Sequence, residues 1–205
     1  EYRQKGKQTT LSCGYSGGVG ALNAMTEGLP PGAKMPEEEM QPLVDAWRAA
    51  NPGIVAFWGA LDAAARKVVR EHTSVRVGRV VVFWQDSRMF IELPAGRRLC
   101  YSAPRLISNR FGGTGVGYLA PGASGQLTLQ ETFGGKLVEN VTQSIARDLL
   151  ANAMTNLEAA GYPIVFHVHD EVVLETPFGE GSVEDACSIM HDVPAWAEGL
   201  PMRAD

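Results

Sequence analysis

The sequence has few of the devices that hold a chain together from outside its own core. Its 205 residues include only three cysteines, Cys13, Cys100 and Cys187. They stand far apart and odd in number, which fits neither a disulfide framework nor a zinc knuckle, so a reducing cytoplasmic setting is expected. Long apolar runs are missing as well. The longest strongly apolar run, Val80 to Trp84, is far short of the roughly 20 residues a membrane-spanning helix needs. No basic start followed by an apolar stretch opens the chain, so neither export nor a membrane partner is expected. There is no internal repeat or low-complexity tract. A general excess of positive charge is also lacking: the net charge of −5 at pH 7 argues against a protein whose whole surface binds nucleic acid. What remains is 45% apolar and 20% charged, enough to bury a substantial core in one or two domains.

The charge is unevenly spread. Between Ala95 and Gly115 the charged residues are Arg97, Arg98, Arg105 and Arg110, with no acid. Arg3, Lys5 and Lys7 open the chain, whereas from Asp170 onward only Arg203 opposes a run of aspartates and glutamates. A basic loop of this kind is most often a solvated loop.

The pattern predicts an α+β protein with a helical part over 1–75, a β-rich part with a basic loop over 76–130, and a last part over 131–205. Tyr2 to Met25 reads as a helix, a glycine-rich bend at Gly14, Gly17, Gly18 and Gly20, and a second short helix, stopped by Leu29-Pro30-Pro31-Gly32. Pro36 with three following glutamates opens a helix carrying Met40, Leu43, Val44 and Trp47 at helical spacing, ended by Asn51-Pro52-Gly53. Ile54 to Glu71 reads as another helix. Arg79 to Trp84, Met89 to Leu93 and Arg97 to Ser102 are strand-like, and short strands continue to Phe133. After Gly134-Gly135 comes the longest helical pattern, with Leu137, Val141, Ile145, Leu149, Ala153 and Leu157 on one face and Gly161 as its stop. Asn140, Gln143 and Arg147 share its polar face. Ile164 to His169 and Val172 to Glu175 read as two strands around an acidic tip, and Gly181 to Glu198 as a final helix.

Two constellations carry chemistry. His169-Asp170-Glu171 places an imidazole and two carboxylates at a turn between strands, and carboxylate oxygens are what hard divalent cations select. An acidic hairpin tip is otherwise simply a water-facing turn. Arg3, Lys7, Leu11 and Tyr15 recur at steps of four, a face of two cations, an apolar residue and a ring. Such a face suits a triphosphate and a base, or is a solvated basic turn beside a core tyrosine.

Arg3-x-x-x-Lys7-x-x-x-Leu11-x-x-x-Tyr15 resembles motif B of the family A (DNA polymerase I-like) DNA polymerases, and Val168-His169-Asp170-Glu171-Val172 resembles their motif C. Tyr2 to Lys7, Gly17 to Leu22, Leu93-Pro94-Ala95-Gly96-Arg97-Arg98-Leu99, and Gly134 to Asn140 followed by Gln143 resemble the phage-type branch, so the similarity runs through nearly the whole chain. The resemblance implies helical fingers over 1–75, a connecting segment over 76–130, and over 131–205 part of a palm with an antiparallel sheet packed on helices. It implies template-directed nucleotidyl transfer to a primer 3′-hydroxyl with two magnesium ions, for which manganese can substitute. Primer-template DNA and deoxynucleoside triphosphates are the implied partners. Carried onto this sequence, Arg3 and Lys7 bind the triphosphate and Tyr15 sits near the templating base. Leu11 stands where the family more often has Phe or Tyr against the sugar, and Ser16 replaces a usual glycine. Gln143 contacts the minor groove, where acceptors common to all base pairs suit a sequence-independent enzyme. His169 lies near the primer terminus, Asp170 is a metal ligand with Glu171 beside it, and Asn140 and Lys136 face the duplex.

The family's second metal-binding aspartate, in motif A, precedes the fingers, and this sequence begins inside motif B. The expectation is therefore a fragment or split part of a polymerase, inactive alone. It would be completed by a segment bearing motif A and the thumb, and would lie in the cytoplasm of a bacterial or phage-infected cell. A palm sheet without its first strand exposes an edge that could pair with a second copy. Two other readings stand beside this one. His167-x-His169-Asp170 could form a metal hydrolase site, since alternating strand residues point the same way, with His72 or His191 completing it. The arginines between Ala95 and Gly115 could instead serve a non-catalytic nucleic-acid-binding module.

Overall fold

The structure, a computed structural model, describes residues 2–26, 35–109 and 112–205. The expected stop at Leu29 to Gly32 and the basic residue Arg110 lie outside the described residues. Helices α1 (Tyr2–Cys13), α2 (Val19–Thr26), α3 (Glu37–Ala50) and α4 (Pro52–Glu71) come first. Strands β1 (Ser74–Val77), β2 (Val80–Gln85), β3 (Arg88–Glu92), β4 (Arg98–Ser108), β5 (Thr114–Pro121) and β6 (Leu127–Thr132) follow. Helix α5 (Gly134–Ala159), strands β7 (Ile164–Val168) and β8 (Glu171–Leu174), helix α6 (Val183–Met190) and a 3-10 turn (Ala195–Ala197) complete the order. The fold is α+β, as expected, and among the described residues no helix is long and apolar enough to cross a membrane. The chain divides into two compact units, with the boundary inside α5. The first holds the described residues up to Glu92 together with Arg98–Asn140, and the second holds Leu93–Arg97 and Val141–Asp205.

In the first unit the core begins where α1, α2 and α3 meet, at Cys13, Leu22, Met35, Met40 and Val44, with Trp47 packed against them. Glu37, Glu38 and Glu39 sit in the first turn of α3, where the helix dipole favours negative charge. One of them pairs across to α1, Lys5 Nζ donating to Glu39 Oε2 at 2.8 Å. Asn51 closes α3, but Pro52 then occupies the first position of α4, so the proline that ends one helix starts the next, two residues earlier than the sequence suggests.

The six strands form an antiparallel meander in which order in space is order in sequence. Strand β1 escapes the sequence reading because its four residues follow α4 after only two intervening residues. The β2–β3 turn consists of Asp86 and Ser87, both at positive φ, as a two-residue hairpin of matching twist requires. One face buries Val80, Val82, Met89, Ile91 and Tyr101. Helix α4 packs on this sheet through Leu61, Ala64, Ala65, Val68 and Val69, and beyond its end His72 stacks on Trp84 with ring centroids 4.0 Å apart. Alternation puts Arg76, Phe83, Arg88, Phe90, Arg98 and Cys100 on the opposite face.

In the second unit α5 buries Leu149, Leu150, Ala153 and Leu157. It ends in a Schellman stop: Tyr162 N–H donates to the Leu157 carbonyl and Gly161 takes φ +85. The Leu93–Arg97 turn is clamped to α5 by Arg97, whose Nε donates to Asp148 Oδ1 at 2.6 Å and whose Nη2 donates to the Ser144 carbonyl at 2.9 Å. The last helix is shorter than Gly181 to Glu198: α6 stops at Met190, and Pro194, which has no N–H to continue a ladder, leads into the separate 3-10 turn. Ser182 caps α6, accepting from Asp185 N–H at 3.0 Å.

Candidate functional site

Helix α1 presents Arg3, Lys7 and Leu11 to solvent, Leu11 being 53% exposed. Its inner face is polar rather than apolar, with Gln8, Thr9, Ser12 and Cys13 buried. The hydroxyls turn back on the helix: Thr9 Oγ1 donates to the Lys5 carbonyl at 2.8 Å and Ser12 Oγ to the Gln8 carbonyl at 2.9 Å. Burial pushes the Cys13 thiol pKa up, keeping it a protonated packing group. Among the described residues neither Arg3 nor Lys7 has an ion-pair partner, so two cations one helical turn apart stand ready for an anion.

Tyr15 is not on this helical face, because α1 ends at Cys13 and Tyr15 lies in the turn that follows. That turn is held from several sides. Arg48 Nη2 donates to the Gly17 carbonyl at 3.1 Å, Trp58 Nε1 to the Gly14 carbonyl at 3.1 Å, and Trp58 stacks on Trp47. Ser16 takes φ +68, a conformation that suits glycine and strains serine. The first turn of α5 packs directly against this segment. A Cβ at Gly135 would land on the Tyr15 carbonyl oxygen, and one at Gly134 on the Trp58 carbonyl oxygen. Sequence reasoning used these glycines as a helix start and missed the close approach. The signal was a Gly-Gly pair placed inside a helix rather than before it.

On α5, Lys136, Asn140, Gln143 and Arg147 are all exposed. Lys136 reaches back to the end of β6, its Nζ donating to the Glu131 carbonyl at 3.4 Å and lying 5.8 Å from the Phe133 ring centroid. Asn140 Nδ2 donates to Tyr101 Oη at 3.0 Å. Tyr101 packs edge-on against Tyr118, and burial, the main cause, pushes its pKa up to about 12.

In the second unit β7 and β8 pair in register Val168↔Glu171, so His169 and Asp170 form a two-residue hairpin turn. Glu158 Oε1 accepts from Ile164 N–H at 2.8 Å and fixes where β7 begins. His169 takes φ +53, a left-handed conformation in which histidine is several-fold over-represented. Asp170 and Glu171 are exposed, and neither carboxylate has a hydrogen-bond or ion-pair partner among the described residues. These free oxygens fit a hard cation such as magnesium as part of a coordination shell. They are not a complete one, since among the described residues no three His, Cys, Asp or Glu gather to hold a metal ion. The hydrolase arrangement does not form. His169 has left the strand, so it does not alternate with His167; His72 is stacked on Trp84; and His191 Nε2 accepts from Ala204 N–H at 2.8 Å.

The hairpin is poorly covered. Apart from His167, Ile164 to Val168 is apolar, as in strands buried on both faces. Yet Val165, Phe166 and Val168 are 55%, 52% and 47% exposed. Among the described residues strands β7 and β8 form a two-stranded sheet.

No family model matches the chain, and no solved structure matches it. Among curated proteins it is 44% identical over 208 residues to a DNA polymerase of Bacillus phage SP02. That match takes in 99% of this chain and 31% of the phage protein, so the chain spans about a third of that relative's length.

Proposed function

We propose that this chain is part of a DNA-directed DNA polymerase of family A: the fingers helix that receives the incoming nucleotide, and the palm hairpin that contributes one of the two metal-binding aspartates. The observation that carries the reading is the 44% identity sustained over 99% of the chain to a phage DNA polymerase. The unpaired cations of α1 and the unpaired carboxylates of the hairpin turn support it. In this reading Arg3 and Lys7 bind the triphosphate, Leu11 faces the sugar, and Tyr15 lies by the templating base on a turn kept rigid by Arg48 and Trp58. Gln143, Asn140 and Lys136 follow the duplex, and His169 sits near the primer terminus. Asp170, with Glu171 beside it, would hold magnesium or manganese. A bound metal would supply neutralisation of triphosphate charge and lower the pKa of the primer 3′-hydroxyl, which attacks the α-phosphate as its bond to the β-phosphate breaks and pyrophosphate leaves. The second aspartate and the strand that covers β7 come from outside these 205 residues, a reading supported by the exposed apolar side chains of Val165, Phe166 and Val168.

The test is to replace the matching segment of the phage SP02 polymerase by this chain and assay primer extension. Extension by the chimera, lost in its Asp170→Asn variant, is the expected result. A chimera that melts cooperatively and binds primer-template but adds no nucleotide would refute the proposal.

A further inference from the structure

The sheet face turned away from α4 carries a layout that the polymerase reading does not use. Cross-strand register sets Phe83 beside Phe90 in one row, continued by Cys100 on β4. The two rings stack with centroids 5.4 Å apart and planes 19° from parallel. The row on one side holds Arg76 and Arg98 and the row on the other holds Arg88. The Arg98 guanidinium lies over the Phe83 ring, 5.1 Å from its centroid, while its Nε donates to Glu92 Oε2 at 2.9 Å. Among the described residues Arg76 and Arg88 have no ion-pair partner.

The charge of this segment runs against that of the chain. Residues 74–132 contain seven arginines and three acids, inside a protein of net charge −5. An aromatic pair at the centre of an antiparallel sheet, flanked by cations and capped by a guanidinium plane, is chemistry suited to unpaired bases and their phosphates. A sheet of six strands is too broad for a duplex groove that admits only a helix or a two-stranded ribbon, whereas a single strand can lie across it base by base. Toward β6 the same face carries Leu127 and Leu129, 67% and 44% exposed, alternating with the acidic Glu131, so the cationic path is confined to β1–β4.

We propose that this β1–β4 face is a binding surface for single-stranded nucleic acid, with bases stacking on Phe90 and on the Arg98 guanidinium that covers Phe83, and phosphates held by Arg76 and Arg88. None of its residues is one assigned above to the nucleotide or the metal. Its test involves neither Asp170 nor nucleotide addition, so it stands or falls independently of the polymerase reading.

Cys100, exposed in the same row as the rings, is a reporter already in place, and Cys187 in the second unit is its internal control. The 205-residue chain is alkylated with iodoacetamide with and without excess oligo(dT) of about 20 nucleotides, a length that exceeds typical single-strand site sizes. Cys100 modification, read by mass spectrometry, is expected to slow at least about fivefold while Cys187 is unchanged. Arg76→Glu with Arg88→Glu, both at exposed positions, is expected to weaken oligo(dT) anisotropy binding about tenfold and flatten its salt dependence. Phe90→Leu is expected to weaken binding several-fold with the salt dependence kept. An unchanged Cys100 rate would overturn the proposal. Equal protection by inorganic polyphosphate would also overturn it, leaving the aromatic row without a role, as would protection that grows with protein concentration in the absence of DNA, which assigns the face to a second copy.

Discussion

Gly135→Ala and Gly59→Ala add the same methyl group at two helical positions and are expected to move stability in opposite directions. On propensity alone each exchange gains up to about 1 kcal/mol. Gly59, within α4, has nothing within 4 Å of the site a Cβ would take, so that gain is realised. At Gly135 the methyl would strike the Tyr15 carbonyl oxygen and crowd Ser16 Cβ at 2.7 Å and the Phe133 ring at 2.8 Å. The carbonyl belongs to a turn held by Arg48 and Trp58 and cannot swing aside. Relief therefore requires the start of α5 to move by about 1 Å, and overpacking against backbone belongs at the upper end of the roughly 1–3 kcal/mol scale. After the propensity gain the net loss is about 2 kcal/mol. With a urea slope of about 2 kcal/mol per M, the midpoint should fall by about 1 M for Gly135→Ala and rise by about 0.5 M for Gly59→Ala. A Gly135→Ala protein at least as stable as the parent would refute the packing of α5 on the Tyr15 turn.

Ser16→Gly relieves the positive φ and is expected to stabilise by about 0.5–1 kcal/mol in the same assay, and a loss would mean that the hydroxyl matters more than the backbone. Tyr101 carries a pKa raised from 10 to about 12, so its contribution is complete below pH 10 and is lost as pH rises toward 12, about 2–3 kcal/mol in all. Denaturation followed across that range should show this slope in the parent and not in Tyr101→Phe. The 205-residue chain alone, with magnesium or manganese, is expected not to extend a primer, and extension abolished by Asp170→Asn would contradict that. The unpaired edges of β7 and β8 are expected to give concentration-dependent self-association in sedimentation velocity, whereas a monomer throughout would contradict it.

What the sequence made legible follows from periodicity. Helices α3, α4 and α5 carry strong apolar stripes, and their cores lie where those stripes point: Met40 and Val44, Leu61 and Val68, Leu149 and Leu157. Helix α1 gives no such signal, because the groups it buries are Gln8, Thr9 and Ser12 with Cys13 alone on the apolar side. It is readable through the glycine-rich bend that ends it and the spacing of four that links Arg3, Lys7 and Leu11, and that spacing extends the face to Tyr15, two residues past the helix end. The candidate site was visible as residue types at Asp170 and Glu171. The left-handed turn at His169 was not, since a strand reading continues through any residue that is not Gly or Pro. The clamp of Arg97 on Asp148 joins positions 51 residues apart, and no local pattern announces it. Pro194 did announce the end of α6, and the reading overran it by trusting the composition on either side.

The meander has a kinetic consequence. Each of its six strands pairs only with the strand before and the strand after it, so every closure is a short one and little loop entropy is lost before contacts form. During synthesis α4 emerges first and offers its apolar stripe. The hairpins can then add to it one by one on the microsecond scale of hairpin closure, about ten thousandfold faster than a ribosome adds residues. The sheet can therefore be complete before the acidic hairpin has left the ribosome, so its assembly does not wait on the segment that carries Asp170.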